Sequence, residues 1–332
     1  MLSSRAIAKF ISNGAKPRRT ENESESDSVN LQFIDEEQVR GVLSYHELIP
    51  LMRSALMDYS AGKVLQSLRA VLPIKEHNGW FALMPAAYGD VMGAKMVTFY
   101  PGNAASGGHT HQAVIQLFRS DNGDPIAVMD GRLITEMRTA AVSAVAVNIL
   151  ARPEKIVLAI LGSGVQARSH FKALSLVRAL SDVRVWSRSQ DRSQKLAKEI
   201  GGRTTPSVED AVSGADVVLT LTSSPEPILF GRWLKKDAVV CAVGAVTPER
   251  RELDDECMRG PVIVECREAG SREPGDILLA KAEMTAEIGE LLNGAERPIS
   301  DRPTIFKSVG IAIEDIASAK LVYDRITDRA KV

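Results

Sequence analysis

Cysteine is scarce in this chain. The 332 residues contain three, Cys241, Cys257 and Cys266, and none forms a Cys-x-x-Cys pair. That argues against a zinc ribbon and a disulfide-dense scaffold, and the count fits a reducing compartment. Net basic charge is lacking too, since 41 basic residues face 42 acidic ones for a net charge of -1. A general nucleic-acid binder carries a basic excess, so no nucleic-acid partner is expected. No uninterrupted apolar run approaches the ~20 residues of a membrane helix, so no membrane partner is expected.

What is present is a globular composition, 45% hydrophobic and 25% charged. It excludes a wholly disordered or collagen-like chain. The length fits two domains of roughly 100–200 residues each. Only the N-terminus departs. Residues 1–20 carry Arg5, Lys9, Lys16, Arg18 and Arg19 without an acid, and Ser3, Ser4 and Ser12 sit among Leu2, Ile7, Phe10 and Ile11. The pattern is that of a basic, amphipathic mitochondrial presequence. A disordered tail or an early start codon accounts for it as well. Residues 21–30 are acidic and polar and read as a disordered linker. The expected location is cytoplasmic, with a mitochondrial one as the alternative.

From residue 31 the apolar pattern becomes periodic. Residues 31–34 read as a strand and 46–61 as an amphipathic helix. Short alternating runs at 68–74, 80–84 and 95–99 read as strands of a mostly antiparallel sheet. The runs 113–118 and 125–129 flank Asn122-Gly123, a hairpin signal. Residues 133–150 read as a long helix that Pro153 closes off. Strands and helices then alternate: strands at 155–161, 183–186, 215–221, 238–243 and 262–264, helices at 167–180, 190–200 and 208–212. Such alternation predicts an α/β unit with a parallel sheet covered on both faces. Residues 310–328 read as a further amphipathic helix.

Gly162-Ser163-Gly164-Val165-Gln166-Ala167 forms a G-x-G-x-x-A directly after an apolar strand and opens a helix. That context makes it a dinucleotide loop. The first glycine permits the turn, the second lets backbone approach a pyrophosphate, and the alanine keeps helix and strand close. The helix N-terminus offers free N–H groups to the phosphates. An acid usually ends the second strand of an NAD-binding unit. Here the sequence is Ser187-Arg188-Ser189, with no acid before Asp191. Arg188 suits a 2′-phosphate, and the serines can donate hydrogen bonds, which favours NADPH (NADP) with NADH as the weaker alternative. In the other reading Arg188 is a solvated charge and Asp191 serves NAD from a shifted position.

The first half of the chain offers isolated cations. Arg69 and Lys95 lie in apolar strand contexts, and Arg138 precedes a Thr-Ala-Ala stretch. Cations in such settings need a counter-charge, often an anionic ligand. His109 and His111 would share a strand face, which admits a metal. With no cysteine or third histidine nearby, polar contacts to cofactor or substrate fit better, and no metal is expected. Trp80, Trp186 and Trp233 read as core or cofactor-wall residues.

Taken together, these residues resemble the ornithine cyclodeaminase/mu-crystallin family, over about residues 31–328. The matching stretches are Lys95–Tyr100 (KMVTFY), Ala127–Gly131 (AVMDG), Arg138–Ala144 (RTAAVSA), Leu161–Ala167 (LGSGVQA), Glu226–Gly231 (EPILFG), Arg251–Glu256 (RELDDE) and Phe306–Gly310 (FKSVG). The nearer likeness is to the mu-crystallin, or ketimine reductase, branch. The resemblance implies a Rossmann-type doubly wound parallel sheet domain over 151–304. It also implies a discontinuous α+β substrate and dimerisation domain over 31–150, completed by 305–332. It places Arg69, Lys95 and Arg138 on the substrate carboxylate, and Thr110, His111, Thr139, Val243 and Lys307 near the cofactor. It implies a homodimer and a small cyclic imino-acid substrate. Neighbouring cations lower a lysine pKa, which makes Lys95 the candidate catalytic proton donor.

Two departures bear on the activity. Cyclodeaminases of this family carry a catalytic aspartate where Val246 stands, and a glutamate where Ala82 stands. An aliphatic side chain cannot activate water or shuttle a proton. Reducing an imine that is already formed needs only a hydride donor, a carboxylate clamp and one proton. The expected function is NADPH-dependent reduction of cyclic ketimines such as Δ1-piperideine-2-carboxylate or Δ1-pyrroline-2-carboxylate. The rivals are an ornithine cyclodeaminase or other NAD-dependent amino-acid dehydrogenase, and a non-catalytic NADPH and small-ligand binding protein.

Overall fold

Two β-sheets organise the chain, and the computed structural model describes residues 31–329 of it. The tail or presequence expected over 1–30 lies outside the described residues. The first sheet contains β1 (Gln32–Ile34), β2 (Leu65–Gln66), β3 (Ala70–Ile74), β4 (Gly79–Tyr88), β5 (Val91–Phe99), β6 (His111–Arg119) and β7 (Pro125–Asp130). Its order is β1-β7-β6-β5-β4-β2, with β3 also on β4. All pairs are antiparallel except β1 with β7. The hairpin signal forms as read: Gly123 takes φ +81°, and Asn122 Oδ1 accepts from the Asp124 N–H at 3.0 Å.

Alternation divides this sheet into two faces. Ala82, Met84, Val97, Ile115 and Leu117 are buried, helices Arg132–Leu150 and Ala312–Arg329 pack on the sheet, and helix Tyr45–Ser60 packs on both of them. The opposite face carries Leu83, Met96 and Val114 in one register row, and Leu83 and Val114 are exposed. Phe33, at the sheet edge, is 72% exposed.

The second sheet contains β8 (Ile156–Leu161), β9 (Leu180–Trp186), β10 (Arg203–Thr204), β11 (Val217–Thr220), β12 (Val239–Ala242), β13 (Val262–Val264), β14 (Met284–Glu287) and β15 (Thr304–Lys307). The order is β10-β9-β8-β11-β12-β15-β13-β14, all parallel. The first five positions follow the Rossmann order 3-2-1-4-5, with strand order reversing between β8 and β11. Helices Val165–Val177, Gln190–Ile200 and Val208–Val212 connect the early strands.

Three expectations need correction. The helix read over 167–180 ends at Val177. Arg178 turns extended there, and its guanidinium donates to the Asn148 carbonyl at 2.6 Å, so a tertiary contact stops the helix and Leu180 opens β9. No strand is expected over 304–307, yet the four buried residues of β15 slip between β12 and β13, so the chain leaves the parallel sheet after Lys307 rather than at residue 305. Helix Arg132–Leu150 is long and apolar enough to cross a membrane by length and composition, although 72% of that window is buried inside the protein. Its small Ala, Val, Ser and Thr residues let it touch β6 of one sheet and β12 and β15 of the other. Such packing makes the chain from Leu31 onward one compact unit.

Candidate active site

The glycine loop lies where strand order reverses, the usual ligand crevice of an open parallel sheet. Gly162 has φ +124°, and a Cβ there would sit 2.7 Å from the Leu221 carbonyl oxygen. Only glycine fits. Gly164 differs: it is exposed at φ -82°, and a Cβ would meet nothing within 4 Å. Its open side is where a pyrophosphate can approach. The following helix has no side-chain cap, so its first N–H groups stay available. Val165 and Gln166 form that first turn, with Val165 exposed and Gln166 Oε1 buried without a partner. Ser163 Oγ donates to Ser187 Oγ at 2.9 Å, tying the glycine loop to the end of β9. Arg188 is exposed and has no hydrogen bond or ion pair among the described residues, and Ser189 stands at the N-cap position of the next helix without a side-chain capping bond. A cradle only glycine fits, an uncapped helix start and an uncommitted arginine together suit a phosphorylated dinucleotide.

The cation site is assembled around Gly310, at φ +75° just before the C-terminal helix. Arg69 is not in a strand, as its apolar flanks suggested, but in the link between β2 and β3. Its Nη2 donates to the carbonyls of Val309 (2.6 Å) and Gly310 (2.7 Å), and its Nε to Glu273 Oε1 at 3.0 Å. A Cβ on Gly310 would fall 2.5 Å from Arg138 Nη1, so the absence of a side chain lets the two arginines flank this residue. Arg138 is 4% exposed. It donates from Nη1 to Glu314 Oε2 (2.7 Å) and from Nε to Asp315 Oδ1 (2.9 Å), which leaves Nη2 without a protein acceptor among the described residues. Lys95 projects from the core face of β5 and pairs with Asp315 Oδ2 at 2.6 Å.

The three expected cations therefore come together, but they are already paired with carboxylates of the chain. Burial pulls the Lys95 ammonium down to about 8, with Arg138 and Arg69 adding to the effect against the pull of Asp315. Burial and the charge of Glu265 raise the Glu314 carboxyl well above its usual range. Asp315 stays low despite burial, because Arg138 and Lys95 both face it. Glu265 accepts from Ser308 Oγ and from the N–H groups of Val309 and Gly310, so it fixes the same turn from the side opposite Arg69. A narrow cleft beside Arg69 is lined by Gln66, Met84, Glu273 and Ile311. Sequence reading missed all four acids. The signal for two of them was the adjacent Glu314-Asp315 inside the apolar stretch 309–319; Glu265 and Glu273 gave none.

The remaining expected residues divide. His109 precedes β6 rather than sharing its face with His111. The His111 ring packs 4.6 Å from Phe99 and 6.4 Å from Trp80 (centroid to centroid), crowded on those sides and open to solvent on another. Thr110 Oγ1 lies 3.3 Å from His111 Nδ1. The Thr139 hydroxyl donates back to the Thr135 carbonyl at 2.7 Å within its own helix. Val243 is half-buried at the end of β12, and its N–H reaches the Thr220 carbonyl. Lys307 is wholly buried and paired with Asp276 at 2.9 Å, so its ammonium is committed inside the sheet rather than offered to the crevice. Ala82 is fully buried on β4, and Val246 is half-buried beyond Gly244.

A model of the ornithine cyclodeaminase/mu-crystallin family matches residues 30–330. The chain is 45% identical over 301 residues to the ketimine reductase mu-crystallin of Mus musculus, covering 88% of this chain and 96% of that one. The solved structure of Thermococcus litoralis Delta(1)-pyrroline-2-carboxylate reductase in complex with NADH and L-proline matches with a TM-score of 0.85 at 31% identity, over 90% of this chain and 98% of that one. An archaeal alanine dehydrogenase dimer with bound NAD matches with a TM-score of 0.85 at 28% identity, over 90% and 96% of the two chains. By sequence and by fold, the chain belongs to the ornithine cyclodeaminase/mu-crystallin family.

Proposed function

We propose that the protein is an NADPH-dependent reductase of cyclic ketimines, an oxidoreductase acting on CH–NH bonds. The observation that carries this reading is the convergence of Arg69 and Arg138 at Gly310, with Lys95 sharing Asp315 with Arg138, in a family member that has Ala82 and Val246 at the cyclodeaminase positions. The relatives support it: one is named a ketimine reductase, and another is a pyrroline-2-carboxylate reductase solved with NADH and proline.

Gly162, Gly164 and the free N–H groups after them hold the pyrophosphate, and Arg188 with Ser187 and Ser189 takes the 2′-phosphate. When bound, NADPH supplies a hydride to the imine carbon. Arg138, through its free Nη2, and Arg69, in exchange for Glu273, hold the substrate carboxylate. Lys95 donates the proton that the imine nitrogen gains, because an ammonium held near 8 gives up its proton more readily than an exposed one. Orientation against the cofactor supplies much of the rate. The product is a cyclic amino acid such as pipecolate or proline.

The test follows nicotinamide absorbance with Δ1-piperideine-2-carboxylate and Δ1-pyrroline-2-carboxylate. Oxidation faster with NADPH than with NADH supports the reading. Tight cofactor binding without oxidation favours a binding protein, and ammonia released from ornithine favours a cyclodeaminase. A homodimer is part of the proposal. The exposed row Leu83, Met96 and Val114 on the first sheet is the apolar face a second copy would cover. A 36.0 kDa particle in light scattering at micromolar protein would rule it out.

A further inference from the structure

Glu252 carries no role in the account above, yet it is fully buried at the crevice end of the parallel sheet. Its two carboxylate oxygens accept four hydrogen bonds. Oε2 takes Thr220 Oγ1 and the Gly244 N–H, each at 2.8 Å, and Oε1 takes the Thr222 N–H at 2.7 Å and Thr222 Oγ1 at 2.6 Å. One side chain thus ties the turn leaving β11 to the turn leaving β12. The turns are in close contact, since a Cβ on Gly244 would fall 2.0 Å from the Thr222 carbonyl oxygen. The β11 turn also abuts the glycine loop, through Leu221 and Gly162.

Glu252 is itself held. Asp276 Oδ1 accepts the backbone N–H groups of Glu252 (2.8 Å) and Leu253 (3.0 Å), and its other oxygen pairs with Lys307. Lys307, on β15 beside Ala242 of β12, anchors this bracket to the sheet. Strand order then fixes what the bracket faces. Arg188 follows β9 and the glycine loop follows β8, so on the dinucleotide reading those strands would carry the adenosine and pyrophosphate. The turns after β11 and β12 would then be left for the nicotinamide half.

We propose that Glu252, braced by Asp276 and Lys307, is a positioning residue that sets the walls of the nicotinamide end of the crevice. The inference rests on the dinucleotide reading given above. A glutamine cannot replace this carboxylate. Both oxygens face a backbone N–H, so an amide nitrogen would meet a donor with another donor. An aspartate is one methylene too short to span both turns.

The test compares a whole dinucleotide with its adenosine half. NADPH and 2′,5′-ADP are titrated against wild type, Glu252→Gln and Thr222→Val, with kcat and KM measured alongside. In Glu252→Gln the NADPH Kd and kcat each worsen about ten-fold, the scale of a small misplacement of reacting groups, while 2′,5′-ADP binding stays within about two-fold. Thr222→Val removes one donor and keeps the carboxylate; it shifts NADPH in the same direction by less, and it carries the test if the glutamine variant does not fold. Equal losses for both compounds, or none for NADPH in either variant, overturn the proposal while leaving the dinucleotide reading intact. Wild-type protein that binds neither compound overturns both.

Discussion

Lys95 Nζ and Asp315 Oδ2 lie 2.6 Å apart, both side chains sealed from solvent, and the second oxygen of Asp315 belongs to Arg138. One carboxylate thus orients two cations on different elements, β5 and the helix Arg132–Leu150. Around it stand Arg69 and the acids Glu265, Glu273 and Glu314. Burial pushes the Glu314 carboxyl up, and three cations stand among four acids. In the proposed function a substrate carboxylate would compete with Glu273 for Arg69, beside the cleft that Gln66, Met84 and Ile311 line.

The pH dependence of turnover follows from Lys95. In the proposed function it is the proton donor, active when protonated. Burial has brought its pKa down to about 8, so kcat/KM falls as pH rises through that value rather than two units higher. A pH–rate profile checks this, and Lys95→Met is expected to lower kcat/KM at least about ten-fold and to take the basic limb out of the residual rate.

Arg138 cannot be replaced by lysine without loss. The lysine keeps the charge but cannot reach Glu314 and Asp315 together while offering a further N–H to substrate. Arg138→Lys is expected to lower kcat/KM at least about ten-fold and to cost about 1–3 kcal/mol of stability through the carboxylate left short of a partner. Steady-state kinetics and denaturant unfolding measure the two effects. A kcat/KM within about two-fold of wild type would rule out the clamp.

The two loop glycines separate folding from binding. Gly162→Ala puts a methyl group 2.7 Å from a carbonyl oxygen at φ +124°, so it destabilises the fold itself. Gly164→Ala meets nothing in the free protein and has an ordinary φ, so stability stays within about 0.5 kcal/mol. That methyl group fills the space the pyrophosphate needs, and NADPH binding is lost. Thermal unfolding together with NADPH titration distinguishes the two variants.

The glycine loop was legible in sequence because its chemistry is local: two glycines and an alanine at fixed offsets between a strand and a helix. The Asn122-Gly123 hairpin was legible for the same reason. The counter-charges were not. Asp315 lies 220 residues from Lys95 and 177 from Arg138, and no short-range pattern relates them. The partner of Lys307 was equally out of reach, since Asp276 lies on a separate element and no short-range pattern relates the two. β15 escaped notice because four residues carry too little periodicity to separate a strand from a loop.

In the proposed function, cofactor choice turns on Arg188. It is exposed and uncommitted, so Arg188→Ala leaves the fold intact. The KM for NADPH is expected to rise about ten-fold or more, from loss of a charge-assisted contact to phosphate, while the KM for NADH barely moves. Equal changes for both cofactors would return the choice to Asp191 and NAD.

The most direct measurement is product formed per cofactor consumed. Purified protein is incubated with NADPH and Δ1-piperideine-2-carboxylate, and pipecolate is quantified by chromatography against the fall in nicotinamide absorbance. The account predicts equimolar pipecolate and oxidised cofactor, with no ammonia released. NADPH bound but not consumed, or no pipecolate or proline from either cyclic ketimine, would contradict it.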